Sequence, residues 1–402
     1  MKRIYQEVIR EHLEKLRQMV FLMGPRQVGK TTVSLEAASE WPKHFYFNWD
    51  NPAEKLLFLE GSEAIAHQAG LSELSEQTPV LIFDEIHKYG KWKNFLKGFF
   101  DHYEKAAKMI VTGSARLNVY KRGGDSLMGR YFYYRIHPLS VAEIVCPVLI
   151  HEEIRKTPLP ISDADWDALL EHGGFPEPFV QRSSRFSSRL QRIRKDQLFR
   201  EDIRDGTRIQ EISQLELLAE LLRRQAAQSM DYQSLAVKVG VSVDTIRRWL
   251  EVLKSFYYCF SIQPWSKNVS RSLLKEPKLY LWDWSLVDDV GHRHENLVAS
   301  HLLKAVHFWT DRGLGEYGLY YLRTKDKVEA DFAVTKNGKP WFIVEVKTKA
   351  KGLTPALYRF QEEIQASHAF QVAFDLPFVN KNCFEEKGPI VVPAKTFLSQ
   401  LV

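Results

Sequence analysis

Apolar side chains at Ile4, Val8, Ile9, Leu13 and Leu16 recur at the spacing of one helix face, with charged residues between them. That period predicts an amphipathic helix over residues 5–17. The next stretch, MVFLM at 19–23, has no polar position, as expected for a strand covered on both faces of a parallel sheet. The same continuous apolar pattern returns at 80–83, KMIVT at 108–112 reads as the next buried strand, and a mixed aromatic pattern lies at 44–49. Between them lie helical patterns, clearest in KWKNFLKGFFDHYEK at 91–105. Short buried strands alternating with helices predict an α/β domain built on a parallel sheet.

Further along, the pattern turns helical and charged. Residues 166–172 and 215–225 predict helices, separated by the breaker GGFPEPFV and a basic run of Arg182, Arg185, Arg189, Arg192, Arg194, Lys195 and Arg200. The run has two readings: a solvated helix face whose arginines approach phosphates, or a nucleic-acid track, and the acidic Glu201, Asp202 and Asp205 that follow favour the first. Residues 231–258 predict a helix stopped at Gly240, then a second helix capped by Ser242 with Ile246, Trp249, Leu250 and Leu253 on one face. Helix, short turn, capped helix is the helix-turn-helix pattern, with Ser242, Asp244, Thr245, Arg247 and Arg248 where a DNA reader would meet bases. The apolar stretch 256–265 is expected to supply wing strands. The pattern then predicts a strand followed by a turn within 277–287 and strands at 319–323, 328–334 and 341–347, the last two joined by the Asn337-Gly338 turn, with a helix at 356–364 and a strand at 369–374. The implied boundaries are 1–155, 156–225, 226–275 and 276–402.

The candidate chemistry starts where the first buried strand ends. GPRQVGKTT places Gly24, Gly29, Lys30 and Thr31 in the pattern G-x-x-x-x-G-K-[ST], between an apolar strand and a helical stretch. Such a loop, here Gly24, Pro25, Arg26, Gln27, Val28, Gly29, Lys30, Thr31 and Thr32, cradles phosphates with backbone N–H groups while the lysine reaches the β and γ phosphates. The expected ligand is ATP with Mg2+ on the Thr31 hydroxyl. The strand at 80–83 ends in Asp84-Glu85, an acidic pair suited to hold Mg2+ (Asp84) and polarise an attacking water (Glu85). Ser114 ends the strand at 108–112, where it either senses the γ-phosphate or caps a helix. Arg130 follows a glycine and stands as an arginine-finger candidate, in cis or from a neighbouring copy.

A second set lies near the C-terminal end. Glu345 and Lys347, two apart on one strand, share a face, and the hairpin brings Asp331 opposite them. With Glu295 on the preceding helix they form an Asp…Glu-x-Lys set that would take a divalent ion through Asp331 and Glu345, with Lys347 positioning water for phosphodiester cleavage.

The chain resembles the bacterial and archaeal AAA-type ATPases of the AAA+ superfamily that carry a C-terminal domain of unknown function numbered 4143. The resemblance rests on GPRQVGKTT, VLIFDEIHK (80–88), VTGSAR (111–116), LMGRYFYYRIHPLS (127–140), GGFPEPF (173–179), PKLYLWDWSLVDDV (277–290) and the C-terminal acidic set. It implies a P-loop αβα sandwich followed by a helical and winged-helix region and a restriction-endonuclease-like α/β domain, with Ser114 as sensor, Arg130 as finger, and homo-oligomerisation by superfamily analogy. In that family Asp283 is usual and glycine frequent two residues later, where this chain has Ser285.

Composition changes this picture little. A charge of +6 over 402 residues permits double-stranded DNA as a partner without requiring it. Cys146, Cys259 and Cys383 are too scattered for a disulfide framework or a zinc site. No apolar run reaches eighteen residues and the first residues lack a signal-peptide core, so cytoplasmic residence away from membranes is the expectation. Besides DNA processing, a nucleotide-gated protein-interaction module with an inactive nuclease-like domain fits the same motifs.

Overall fold

A computed structural model describes the chain except for residues 74, 76, 114–126, 208, 267–275, 325 and 327. It divides into two compact units, Met1–His137 with Pro147–Leu149, and Pro138–Cys146 with Ile150–Val402. Among the described residues no helix is long and apolar enough to cross a membrane.

The first unit is built on five parallel strands: β1 (Met19–Met23), β2 (His44–Asn48), β3 (Val80–Asp84), β4 (Lys108–Gly113) and β5 (Tyr131–Arg135), in the order β2-β3-β4-β1-β5. Every residue of β1 and β3 is buried, as their unbroken apolar runs require. Helix Ile4–Lys15 lays Tyr5, Val8, Ile9 and Leu13 into the interior. The other face is filled by aromatics: Phe47, Phe58, Phe83, Phe99 and Trp92 form one cluster. The register aligns the strand ends. Phe83 lies beside Val111, and Met23 beside Gly113, so the carboxyl ends of β3, β4 and β1 open on the same edge. In open α/β sheets that edge is where ligands bind.

The second unit carries a seven-stranded mixed sheet. Its strands are β6 (Cys259–Pro264), β7 (Lys278–Leu281), β8 (Tyr317–Arg323), β9 (Glu329–Lys336), β10 (Lys339–Lys347), β11 (His368–Ala373) and β12 (Pro389–Pro393), in the order β12-β11-β10-β9-β8-β6-β7. The helix-turn-helix is present: Tyr232–Val239, capped by Asp231, turns at Gly240 into Val243–Ser255, capped by Ser242. Leu235, Val239, Ile246, Trp249 and Leu253 close over one core. The expected wing departs from the sequence reading in one respect. Strand β6 pairs antiparallel with β7 but also parallel with β8, so the stretch assigned to a separate winged-helix domain shares a sheet with the C-terminal domain. Alternation along a strand gives its face and not its neighbour, which is why the 275/276 boundary looked natural.

The breaker GGFPEPF also has a packing reason. A Cβ on Gly174 would sit 2.4 Å from the Trp284 ring and 2.8 Å from the Leu139 carbonyl, so the chain passes there only as glycine. Two stretches of the family resemblance, 173–179 and 277–290, are thereby packed on each other.

The long helix Val290–Asp311 is mostly buried, including Lys304. Its Lys304 Nζ lies 2.5 Å from Glu143, 2.8 Å from the Ser140 hydroxyl and 3.3 Å from the Pro138 carbonyl. His301 accepts from the Val141 N–H through Nε2 (3.0 Å), which its Nδ1 contact with the Leu297 carbonyl (2.8 Å) leaves free of a proton. Burial pushes this imidazole down to about 3, so it is the neutral form that does so.

Candidate functional site

The loop after β1 is shaped by one crowded position. Gly24 has φ 156°, and a Cβ there would lie 2.3 Å from the Ile136 carbonyl oxygen. The strand-to-loop turn therefore needs glycine, and Ile136 returns a hydrogen bond to the Met23 carbonyl (2.7 Å). Pro25 and Val28 are buried, Gln27 and Thr32 exposed, and Arg26 partly covered. Helix Lys30–Ala38 then starts with no side-chain cap, leaving its first N–H groups for a ligand.

Lys30 is 7% exposed, and its Nζ donates to the carbonyls of Gly24 (3.0 Å) and Pro25 (2.7 Å). The ammonium is thus folded back over the loop it would serve. Burial pushes Lys30 down to about 8, against the pull of Glu85 and Asp84. A polyphosphate beside Nζ favours the charged form and raises that value again. Binding of ATP is therefore expected to take up a proton near pH 8, with affinity full below that pH and falling as pH rises through it. Calorimetry at pH 8 in two buffers of different ionisation enthalpy checks this; identical heats in both would contradict it.

Asp84, 4% exposed, closes the site from β3. Its Oδ2 accepts from the Thr31 hydroxyl (2.8 Å) and the Tyr46 hydroxyl (2.7 Å), and its Oδ1 accepts from Thr112. Burial and the Asp84 carboxylate hold the Tyr46 phenol above its ordinary range, so it stays a donor. A hydroxyl and a carboxylate in contact at the mouth of a phosphate loop are hard oxygen donors, and this pair fits Mg2+. Glu85 is in the left-handed region at φ 54° and partly exposed, with Lys88 at 3.3 Å and His87 at 3.7 Å. Ser114 lies outside the described residues. Arg130 sits on the surface of the first unit, where both its Nε (2.6 Å) and Nη2 (3.0 Å) donate to Asp101.

Three residues make contacts here that had no signal in the sequence. Tyr46 and Thr112 reach Asp84 only because β3 lies between β2 and β4. Arg3, 3% exposed, donates to the Val28 carbonyl of the loop (2.8 Å) and to the His137 carbonyl (2.7 Å).

In the second unit the four expected nuclease positions separate into two networks. Glu295 and Asp331 converge on Lys278, whose Nζ is 3.3 Å from Glu295, 3.4 Å from Asp331 and 3.4 Å from Glu329. Glu345 instead pairs with Lys347 (2.6 Å) and accepts from the Thr354 hydroxyl. Asp331 spends its other oxygen on the Val346 N–H (2.8 Å). Among the described residues no three His, Cys, Asp or Glu side chains are grouped as a metal ion requires. Asp331 and Glu345 thus do not present a fitting donor set. Lys278 was missed because a lysine in PKLYLW reads as a strand-edge charge, whereas its side chain is 6% exposed.

The basic run is likewise divided. Arg194 is held against Asp283 (3.1 Å) with its guanidinium 3.5 Å from the Phe175 ring centre, a structural role, while Arg185, Arg189, Arg192 and Lys195 remain exposed. On the second helix of the helix-turn-helix, Arg247 lies 3.5 Å from Asp244 and over the Tyr232 ring.

Residues 16–145 match the family model described as an AAA domain, residues 163–294 a domain of unknown function numbered 8612, and residues 290–397 the domain of unknown function numbered 4143. The chain is similar to uncharacterized proteins of Mycobacterium tuberculosis and Mycobacterium bovis, each 24% identical over 349 residues, 85% of this chain and 72% of the relative. Its likenesses to solved structures are distant. The Walker-type ATPase of Pyrococcus abyssi is 14% identical with a TM-score of 0.41, over 72% of this chain and 94% of that one. AMPPCP-bound DnaA from Aquifex aeolicus is 14% identical with a TM-score of 0.32, over 62% of this chain and 86% of that one.

Proposed function

Since the chain carries an AAA-type ATPase domain at residues 16–145 and domain 4143 at 290–397, we propose that it binds and hydrolyses ATP at the loop Gly24 to Thr32. The observation that carries this reading is the contact of Thr31 with Asp84, beside a buried Lys30 that can exchange two loop carbonyls for phosphate oxygens. Lys30 and the first N–H groups of its helix bind the β and γ phosphates. Thr31 and Asp84 would hold Mg2+, which when bound neutralises phosphate charge. Tyr46 and Thr112 keep the Asp84 carboxylate oriented by donating to it. Glu85, partly exposed at the strand end, orients the attacking water, with Ser114 as γ-phosphate sensor. Arg130 on a neighbouring copy completes the site in a homo-oligomer, leaving Asp101 to do so. Turnover would take place in the cytoplasm.

What ATP use drives has two readings. One is action on double-stranded DNA through the helix pair 232–255; the other is nucleotide-gated binding of a protein, with the C-terminal acidic set inactive. Capture of Glu295 and Asp331 by Lys278 favours the second. The expected result is that Glu85→Gln keeps ATP binding and loses turnover by about 10²-fold or more. Measuring that turnover with and without duplex DNA separates the readings. Stimulation by DNA supports the first; no stimulation and no DNA binding leaves the second. A folded wild-type protein without ATP affinity would overturn both.

A further inference from the structure

The acidic positions of the C-terminal domain invite a divalent ion by their residue types, yet their geometry belongs to a different cation. We propose that Lys278 is a built-in counter-ion bridging Glu295, Glu329 and Asp331, so that the wild-type domain 4143 holds no divalent ion there.

The Lys278 side chain comes from β7, near-completely buried, and its Nζ is almost equidistant from the three carboxylates at 3.3, 3.4 and 3.4 Å. Around it further donors engage the same carboxylates. The Tyr280 hydroxyl donates to Glu295 (2.8 Å), Arg323 pairs with Glu329 (3.1 Å), and the Val346 N–H binds Asp331. Three carboxylates so close repel one another strongly in a poorly solvated place, and one fixed ammonium offsets much of that repulsion. The cation is tethered by its own backbone, so an ion in solution competes with a partner that cannot diffuse away. To enter, a divalent ion would have to expel a buried ammonium from its only strand position.

The second network points the same way. Glu345, which a metal site would need beside Asp331, is committed to Lys347 and Thr354. Every acid of the Asp…Glu-x-Lys set thus meets a protein cation, Glu295 and Asp331 sharing Lys278 and Glu345 facing Lys347.

The test is Mn2+ binding to the full, nucleotide-free chain, read by the electron-paramagnetic signal of free Mn2+. All proteins carry Asp84→Asn to silence the first unit's oxygen donors. With Lys278 in place no Asp331-dependent site is expected. Lys278→Met, which keeps the side chain's length and removes its charge, is expected to gain one site, at least about tenfold tighter than any in the parent, because affinity follows the count of unneutralised carboxylates. Adding Asp331→Asn should remove that gain. A site in the Lys278 protein that disappears with Asp331→Asn overturns the proposal, as does a folded Lys278→Met protein with no gain. Should Lys278→Met fail to fold, the parent with and without Asp331→Asn decides alone. Because nucleotide is absent throughout, failure here leaves the ATPase reading untouched.

Discussion

Lys30→Ala is expected to lower kcat/KM for ATP hydrolysis by about 10²- to 10³-fold or more, the scale seen when one preorganised charge is removed from a developing anion. The reason lies in where Nζ rests. In the free protein it is buried and tied to the Gly24 and Pro25 carbonyls, so no side chain rearranges far to meet a phosphate. Alanine also strips two buried carbonyls of a donor. Some loss of stability in the first unit is therefore expected, about 1–3 kcal/mol. Steady-state turnover and direct nucleotide binding, on samples whose melting shows them folded, separate these two effects. Lys105→Ala is the control: Lys105 is exposed on the first unit and outside the phosphate loop, and its loss should leave activity near wild type. Lys30→Arg should not rescue, because a planar guanidinium does not fit the space of a compact ammonium. Full activity in Lys30→Ala would remove the basis of the proposed function.

The largest effect on stability is expected at Lys304 and Glu143. Their side chains are 1% and 0% exposed and 2.5 Å apart. Removing one partner leaves a buried charge without its counterpart, so Lys304→Met should cost the second unit about 3–5 kcal/mol. The double variant Lys304→Met with Glu143→Leu should recover much of that loss, since two apolar groups of similar volume leave no charge behind. Urea unfolding of the wild type, both singles and the double gives the coupling directly. Additive losses would show that the two side chains act separately. Lys304 also donates to Ser140, so recovery in the double stops short of complete.

Much of the fold was legible because it depends on local pattern. The stretches at 19–23, 80–83 and 108–112 were legible as covered strands, and the capped second helix of the helix-turn-helix announced itself in Ser242 and the stripe Ile246, Trp249, Leu250, Leu253. The phosphate loop was legible because its chemistry is contiguous. What escaped were partners set by strand order and by chain returns of more than a hundred residues. Arg3 reaches His137 across 134 positions, and nothing near either residue announces it. Thr112 meets Asp84 because β4 runs beside β3, a neighbour relation that periodicity does not encode. The acidic set shows the same limit in sharper form. Asp331, Glu345 and Lys347 were placed correctly on their strands, but Lys278 enters from β7, on the far side of β8 and β6 in the sheet. Residue types named the candidate chemistry; only the register decided which cation the carboxylates meet.

Strand β6 serves β7 on one side and β8 on the other, with Gln263 and Pro264 facing Tyr320 and Tyr321. The chain leaving helix Val243–Ser255 thus enters, as β6, the same hydrogen-bonded sheet that holds Lys278 on β7 and Asp331 on β9. The helix pair and the acids with their lysine are stitched to one another through peptide hydrogen bonds.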